Sequence, residues 1–142
     1  MTRFLLDTGI AGLYLARKRG VFERAEAETA KGHRIGIAGP VLAELAFRAE
    51  GSPQRERNLR ILQRALDVWT LWLPDAKASF EYGRIAFALK AAGRPIGQND
   101  IMIAAIALAL GDCTVVTMDS DLSAVTGLVV ENWAVPLESG GT

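Results

Sequence analysis

The chain has 142 residues, half of them hydrophobic, and its 16 basic and 16 acidic residues give no net charge. This length is typical of one domain, and this apolar fraction is enough for a substantial core. The balanced charge excludes the strongly basic character of many nucleic-acid-binding domains, so any contact with a nucleic acid would depend on local patches or on metal ions. A single cysteine excludes an internal disulfide and is typical of a reducing compartment.

Neither a signal peptide nor a membrane span is predicted. The apolar run at the start of the chain is short and is interrupted by Asp7. The longest apolar run, Ile101–Leu110, has about half the length that a membrane span requires, so it is predicted to be a buried helix. We therefore expect a cytoplasmic protein with no membrane partner.

The first half of the chain alternates short apolar segments, typical of buried strands, with longer segments of helical periodicity. Glycine, proline and serine separate many of these segments and favour turns and helix starts. In chain order the predicted elements are strand Phe4–Leu6, helix Ile10–Arg19, helix Val21–Lys31, strand Arg34–Ala38, helix Val41–Ala49 and a long helix from Gly51 to Trp69 with Ser52 as its N-cap.

The second half of the chain continues this alternation. In the helix that follows the third strand, Phe80, Ile85, Ala88 and Leu89 recur at helical spacing and are predicted to form its apolar face. The predicted elements are strand Leu71–Leu73, helix Ala76–Ala92, loop Arg94–Gly97, a buried helix beginning at Gln98, strand Thr114–Thr117 and an edge strand at Val129–Val130.

Alternating strands and helices predict an α/β fold. We expect a three-layer α/β/α sandwich around a mainly parallel sheet of four to five strands. Neither an internal repeat nor a domain boundary is visible in the sequence. The expected organisation is one domain over residues 1–135, followed by a flexible C-terminal tail over residues 136–142.

Four carboxylates are predicted to meet at one edge of this sheet. Asp7 follows the first strand and Asp119 follows the fourth, and parallel sheets bind their ligands beyond the carboxyl ends of the strands. Asp100 lies in the first turn of the buried helix, where the helix N-terminus favours negative charge. Glu44 lies in the helix after the second strand, among apolar neighbours that imply partial burial.

Converging acids repel one another unless a cation lies between them. Ligation by oxygen alone selects a hard ion, so the pattern indicates Mg²⁺, with Mn²⁺ as the alternative. Such ions neutralise phosphate charge and orient an attacking water, which is the chemistry of phosphodiester hydrolysis. Taken singly, the same residues have structural interpretations: Asp7 as a turn former, Glu44 as a solvated helix residue, Asp100 as a helix-start acid, and Asp119 and Asp121 as caps of a short helix.

Several segments of the chain together match a known pattern, of which the longest is the most specific. They are Phe4–Thr8, Val41–Leu45, Gly93–Ala105, Val116–Asp119 and Val125–Leu128, with Glu131–Trp133 behind them. On these segments the chain resembles the PIN-domain nucleases over almost its whole length. Within that family it resembles the VapC-type toxins of bacterial and archaeal toxin–antitoxin pairs, and the resemblance implies a PIN-like fold.

The resemblance implies that Asp7, Glu44, Asp100 and Asp119 form the metal site of a Mg²⁺-dependent endoribonuclease. Asp7 and Asp100 would be the most direct ligands of the ion, while Glu44 and Asp119 would complete the site through water or by orienting the nucleophile. Thr117 resembles the hydroxyl residue that often precedes the last acid in this family. Its hydroxyl would hydrogen-bond a carboxylate or a phosphate.

The chain departs from the family pattern in two places. Gly9 stands where an asparagine is common, and the stretch from Thr117 to Val125 is slightly shorter than usual. The second departure leaves Asp121 as an alternative to Asp119 for the fourth acid, and Asp119 is favoured. Neither departure removes an acid, so we expect activity to be retained.

The resemblance also implies an RNA substrate, a homodimer and a cognate VapB-like antitoxin, which often places an arginine against the carboxylates. Arg94, just before the helix of Asp100, is a candidate for contact with the substrate. Two alternatives remain open: a PIN-like module that binds RNA or protein without cutting, and an aspartate-based phosphatase with Asp7 as nucleophile. Gly9 disfavours the phosphatase, because haloacid-dehalogenase-like enzymes usually carry a second aspartate at that position.

Overall fold

The computed structural model describes residues 1–137. Strands and helices alternate along this part of the chain, and a short 3₁₀ helix, Ser120–Ala124, follows the fourth strand. The strands are β1 (Arg3–Leu6), β2 (Arg34–Ala38), β3 (Thr70–Trp72), β4 (Cys113–Val116) and β5 (Val129–Glu131). The helices are α1 (Thr8–Ala16), α2 (Val21–Ala30), α3 (Gly39–Glu50), α4 (Arg55–Ala65), α5 (Ala76–Ala91) and α6 (Gln98–Leu110).

The sheet is parallel throughout, with the strand order β3-β2-β1-β4-β5. β1 lies at its centre, and its last residue, Leu6, pairs with Ile37 of β2 and with Val116 of β4. The chain moves outward from β1 to β2 and β3 on one side, and from β4 to β5 on the other. This reversal opens a crevice beyond the carboxyl ends of β1 and β4, where ligands of such sheets bind.

The central strands are apolar on both faces because helices cover both faces of the sheet. Leu5, Leu6, Ile37, Val115 and Val116 are fully buried. A strand buried on both faces forms a continuous apolar run instead of an alternating one, which explains the composition of these segments. The predicted three-layer α/β fold with a parallel sheet is confirmed, and α6 is buried between β4 and α5 as its composition indicated.

The start of the fourth helix was predicted wrongly. The helix begins at Arg55 and ends at Ala65, and Ser52 is not its N-cap. Ser52 donates its hydroxyl to the carbonyl oxygen of Ala49 at 2.9 Å, so it closes the last turn of α3 instead. A serine between two helices can serve the end of one or the start of the next, and its sequence position does not distinguish these roles.

The apolar face predicted for α5 was partly wrong. Ile85 and Leu89 are buried as predicted, and Ala78 is buried with them. Phe80, however, is 81% exposed, and Ala88 is exposed as well. Apolar residues therefore lie on two sides of α5, and their spacing alone does not show which side faces the core.

Two further predictions concern the C-terminal tail and the absence of a membrane span. The tail was predicted to cover residues 136–142, of which 138–142 lie outside the described residues. None of the helices in residues 1–137 combines the length and the apolar character that crossing a membrane requires.

A substitution at Gly36 of β2 tests how closely β2 and β3 approach each other. A methyl group in its place would meet the carbonyl oxygen of Thr70 and would lie 2.8 Å from the ring of Trp72. We expect Gly36→Ala to lower the free energy of unfolding by about 2 kcal/mol, because overpacking in a rigid interior forces the backbone apart. Guanidinium unfolding measures this change.

Gly12→Ala is the matched control for this substitution. Gly12 lies in α1, where an added methyl group meets no atom within 4 Å. The control should raise the free energy of unfolding by about 0.5–1 kcal/mol, since alanine favours the helix more than glycine does. Equal stabilities of the two variants would contradict the close approach of β2 and β3.

Candidate active site

Asp7 connects the end of β1 to the start of α1. Its backbone is extended, and its Oδ1 accepts a hydrogen bond from the backbone N–H of Ile10 at 2.9 Å, which makes it the N-cap of α1. Aspartate is a preferred N-cap because its side chain satisfies an N–H group that the helix leaves without a partner. The residue therefore has a structural role, and it remains only 9% exposed.

Thr117 binds the other oxygen of the Asp7 carboxylate. It follows β4 directly, is buried, and donates its hydroxyl to Oδ2 of Asp7. The same hydroxyl oxygen accepts a hydrogen bond from the backbone N–H of Asp119 at 2.9 Å. Thr117 thus connects two of the predicted acids across the crevice between β1 and β4, and the hydrogen bond to a carboxylate that the resemblance implied is present.

Glu44 lies on α3, and its side chain is 35% exposed. Its Oε2 accepts a hydrogen bond from the hydroxyl of Thr8 at 2.8 Å, and its Oε1 lies 3.0 Å from Nη2 of Arg48. Because Thr8 follows Asp7 directly, the first contact holds α3 against the start of α1. Sequence analysis missed both partners; only Arg48 carried a signal, a base four residues after an acid on one helix.

Asp100 lies in the first turn of α6 and is half-buried. Burial raises its pKa above the ordinary value of 3.8, and the charges of Asp119, Asp7, Asp121 and Glu44 raise it further. Each of these acids comes from a different part of the chain than Asp100 does. The structure therefore brings the four predicted acids, together with Asp121, within electrostatic reach of one another around Asp100.

The pKa of Asp7 is also raised, mainly because the carboxylate is buried. The hydrogen bonds from Thr117 and Ile10 oppose this effect and lower the pKa, since they stabilise the ionised form. The charges of Asp119 and Glu44 raise it again. The two donors thus offset part of the effect of burial on the Asp7 carboxylate.

Asp119 and Asp121 both lie in the exposed segment after β4. Asp119 is the N-cap of the 3₁₀ helix, since its Oδ1 accepts a hydrogen bond from the backbone N–H of Asp121 at 2.8 Å. The capping interpretation is therefore correct for Asp119. Its charge acts on Asp7 as well as on Asp100, whereas the charge of Asp121 acts on Asp100 alone. This difference favours Asp119 as the fourth acid of the cluster.

The cluster carries negative charge that the protein neutralises only in part. Within residues 1–137, Arg48 is the one base that forms an ion pair with any of these acids. No three acidic, histidine or cysteine side chains in the described part are arranged to hold a metal ion directly. Mg²⁺ usually binds through only one or two carboxylates and keeps several waters, so this all-oxygen, anionic set fits such an ion.

Arg94 is not connected to the acids by any described contact. It lies in the exposed loop between α5 and α6, and its backbone N–H donates to the carbonyl oxygen of Leu89 at 2.9 Å. The side chain forms neither a hydrogen bond nor an ion pair within residues 1–137. Its contact with a substrate stays a prediction.

An apolar groove in the described part of the chain lies away from the acids. It has a volume of about 550 Å³, runs between α1, α2 and α4, and has a mainly apolar lining that includes Tyr14, Phe22, Ile61 and Trp69. The acid cluster instead lies at the open edge of the sheet.

Comparison with known proteins decides the family. The family described as PIN domain matches residues 4–128. The chain belongs to the PIN-domain family. It is 30% identical to the Ribonuclease VapC2 of Rickettsia felis over 134 residues, which is 92% of this chain and 97% of that protein. It is 33% identical to the tRNA(fMet)-specific endonuclease VapC of Shigella flexneri over 135 residues, which is 94% of this chain and 100% of that protein. The prediction of a VapC-type PIN-domain ribonuclease is confirmed.

Solved structures of VapBC complexes share the fold. The crystal structure of VapBC2 from Rickettsia felis bound to a promoter DNA fragment contains a chain that matches with a TM-score of 0.86 at 30% identity, covering 93% of this chain and 99% of that chain. VapBC-1 from nontypeable Haemophilus influenzae matches with a TM-score of 0.82 at 29% identity, covering 93% and 98%. PIN-domain ribonucleases of this kind are generally metal-dependent, in agreement with the anionic site.

The raised pKa of Asp100 predicts how the stability of the metal-free protein depends on pH. A folded-state pKa above 3.8 means that the folded chain holds this proton more tightly than the unfolded chain. The stability that this provides is fully present below the unfolded pKa and is lost as the pH rises through the folded pKa. Ionised Asp100 therefore opposes folding at neutral pH.

We expect Asp100→Asn to raise the free energy of unfolding in EDTA at neutral pH by about 0.5 kcal/mol, the size of a partly screened charge interaction. The gain should vanish well below pH 3.8, where the carboxyl is protonated in both the folded and the unfolded chain. Urea unfolding at both pH values measures the effect. Asp112→Asn is the control, since Asp112 is exposed before β4, at the opposite end of the strands. A loss of stability at neutral pH in Asp100→Asn would contradict the electrostatic interpretation.

Proposed function

We propose that the chain is the toxin of a toxin–antitoxin pair, an endoribonuclease that hydrolyses RNA phosphodiester bonds at Asp7, Glu44, Asp100 and Asp119 with the help of Mg²⁺ or Mn²⁺. The observation that carries this proposal is that the charges of Glu44 and Asp119 raise the pKa of both Asp7 and Asp100, at the reversal point between β1 and β4. Family membership supports the reaction type, and the anionic edge supports the metal ion.

Each side chain has a role that follows from its position. Burial and neighbouring negative charges raise the pKa of Asp7 and Asp100, so a cation would stabilise their ionised forms, and these two acids would hold the metal. When bound, the ion would neutralise phosphate charge and lower the pKa of a coordinated water. Glu44 is half-buried and Asp119 is exposed, and both would orient the attacking water. Arg48 holds Glu44 in place at 3.0 Å.

Thr117 keeps Asp7 ready to bind a cation. A buried carboxylate tends to take up a proton, and a protonated Asp7 would be a poor metal ligand. The hydroxyl of Thr117 and the backbone N–H of Ile10 both donate to Asp7, which lowers its pKa against the effect of burial. Thr117 is therefore a positioning residue that acts through Asp7.

An antitoxin of the VapB type is the partner that this proposal requires. The matching chains from Rickettsia felis and Salmonella typhimurium come from VapBC complexes bound to DNA. An arginine of the antitoxin placed among the acids would replace the charge of the metal. The ion pair between Arg48 and Glu44 supports this idea, because it shows a guanidinium neutralising one of these acids within the chain.

Neither alternative gains a specific observation. A phosphatase with Asp7 as nucleophile would usually carry a second aspartate two residues later, but this chain has Gly9 at that position. A binding module that does not cut has no need to hold several acids against their mutual repulsion. RNA binding without cleavage would support such a module.

RNA cleavage by the purified chain tests the proposed site. We expect cleavage with Mg²⁺, none with EDTA, and a loss of about 100-fold or more in Asp100→Asn, because the ion then lacks one of its ligands. Asp100 accepts none of the described side-chain hydrogen bonds, so this change should leave the fold intact. Asp112→Asn should cleave like the wild-type chain. Cleavage that persists in EDTA or in Asp100→Asn would place the active site elsewhere.

The role of Thr117 has its own test. Thr117→Val removes the hydroxyl that lowers the pKa of Asp7, so this pKa should rise further. Asp7 would then be ionised only at higher pH. The acid limb of the cleavage profile should move to higher pH, with a loss of about 10-fold or more at neutral pH. Thr117→Ser should restore the wild-type profile, whereas an unchanged acid limb in Thr117→Val would contradict this role.

A further inference from the structure

Arg19 reaches the edge of the acid cluster although it is distant in the chain from most of the acids. Helix α1 ends at Ala16, so Arg19 lies in the turn before α2 and not in the helix that was predicted to include it. Its Nη1 donates to Sδ of Met118 at 3.5 Å. Met118 stands between Thr117 and Asp119 in the sequence. The guanidinium therefore contacts the segment that carries the fourth acid.

Met118 connects Arg19 to the surroundings of Asp7 as well. The Cε of Met118 lies 3.4 Å from the position that a Cβ at Gly9 would take, and Oδ1 of Asp7 lies 3.7 Å from the same position. An asparagine is common at this place in the family, and the absence of a side chain on Gly9 leaves its space to the methyl group of Met118. The thioether of Met118 thus fills the space between the first acid and Arg19.

Arg19 is held in place by both its backbone and its side chain. Its carbonyl oxygen accepts a hydrogen bond from the backbone N–H of Val135 at 2.8 Å, and its Nε donates to the carbonyl oxygen of Val135 at 2.9 Å. The backbone of Arg19 has a φ of 57°, in the left-handed region that residues with side chains rarely adopt. A long side chain fixed in this way loses less conformational entropy when it binds a ligand.

The positive charge of Arg19 has no acidic partner in the described part of the chain. Within residues 1–137 it forms no ion pair, whereas Arg48 on the other side of the cluster is paired with Glu44. A guanidinium has five N–H donors, and the contacts with Val135 and Met118 use two of them. The remaining three are on the two Nη nitrogens. Two Nη nitrogens with free donors can bind two oxygens of one phosphate.

A cation at this place offsets a repulsion that the acids create. RNA carries a negative phosphate at every nucleotide, and the acids repel each phosphate that a metal ion does not neutralise. We propose that Arg19 is a substrate-binding residue, whose Nη nitrogens hold the RNA phosphate next to the one that is cut. This inference rests on the proposed function, because it takes the phosphate that is cut to lie at the acids.

A purely structural role for Arg19 predicts a different response to substitution. In that role the residue only ties Val135 to the turn before α2, through the hydrogen bond of its Nε. Lysine has no group equivalent to Nε, so it would serve this role no better than methionine does. Lysine does keep a positive charge that can bind a phosphate. Rescue by lysine therefore separates the two roles.

Cleavage of a mixed-sequence single-stranded RNA oligonucleotide in Mg²⁺ tests the contact with the phosphate. We expect Arg19→Met to raise KM about 10-fold at low salt and to lower kcat by no more than about two-fold, because it removes binding energy and leaves the acids unchanged. Arg19→Lys should keep KM within about three-fold of the wild-type value. An unchanged KM in Arg19→Met, a loss confined to kcat, or a failure of lysine to rescue KM would overturn the inference.

Arg34→Met is the matched control for this substitution. Arg34 is exposed at the first residue of β2, at the opposite end of the strands from the acids. Like Arg19 it forms no ion pair within residues 1–137, and its Nη1 donates one hydrogen bond, to Oγ1 of Thr70 at 3.4 Å. The control should have the KM and kcat of the wild-type chain.

The salt dependence of RNA binding tests the same contact without cleavage. Fluorescence anisotropy of the labelled oligonucleotide is measured at increasing KCl in the Asp100→Asn background, with and without Arg19→Met. Loss of one phosphate contact on a single strand should reduce the slope of log Kd against log salt by about 0.7, and Arg34→Met should keep the slope. RNA that the wild-type chain binds without cutting would contradict the proposed function alone. Equal slopes with and without Arg19→Met would overturn this inference, whether or not the wild-type chain cleaves.

Discussion

The buried carboxylate of Asp7 is the constraint on which the rest of the site depends. Its two oxygens accept hydrogen bonds from Ile10 in α1 and from Thr117 after β4, so one side chain joins the central strand to two neighbouring elements. Burial favours the neutral form, while both donors favour the anion. A carboxylate whose ionised form is stabilised by these donors could bind a cation without first losing a shell of water.

The order of the strands explains how acids so distant in sequence meet. β1 lies between β2 and β4, and all of these strands run in the same direction. Asp7 and Asp119 therefore follow neighbouring strands at one edge, and helices α3 and α6 bring Glu44 and Asp100 to the same edge. The repulsion among these acids lowers the stability of the metal-free fold, which is the cost of a site that attracts a cation.

The sheet and the acids could be predicted because both depend on short-range patterns. Continuous apolar runs indicate buried parallel strands, and Asp7 directly follows one of them while Asp119 lies shortly after another. The contact between Thr8 and Glu44 could not be predicted, since it depends on how α3 packs against α1. Phe80 shows a second limit: hydrophobic spacing placed it on the core face of α5, but it is exposed. A helix with two apolar sides gives one periodic signal, and only the packed structure separates them.

Helix α5 connects the core of the domain to the proposed site. It buries Ile85 and Leu89 in the core, where it packs on α6, the helix whose first turn carries Asp100. Strand β4 packs against α6 as well. Because Asp100 makes none of the described side-chain hydrogen bonds, its position depends on the helix that carries it. The packing of α6 against both α5 and β4 therefore fixes one of the acids without any direct contact to it.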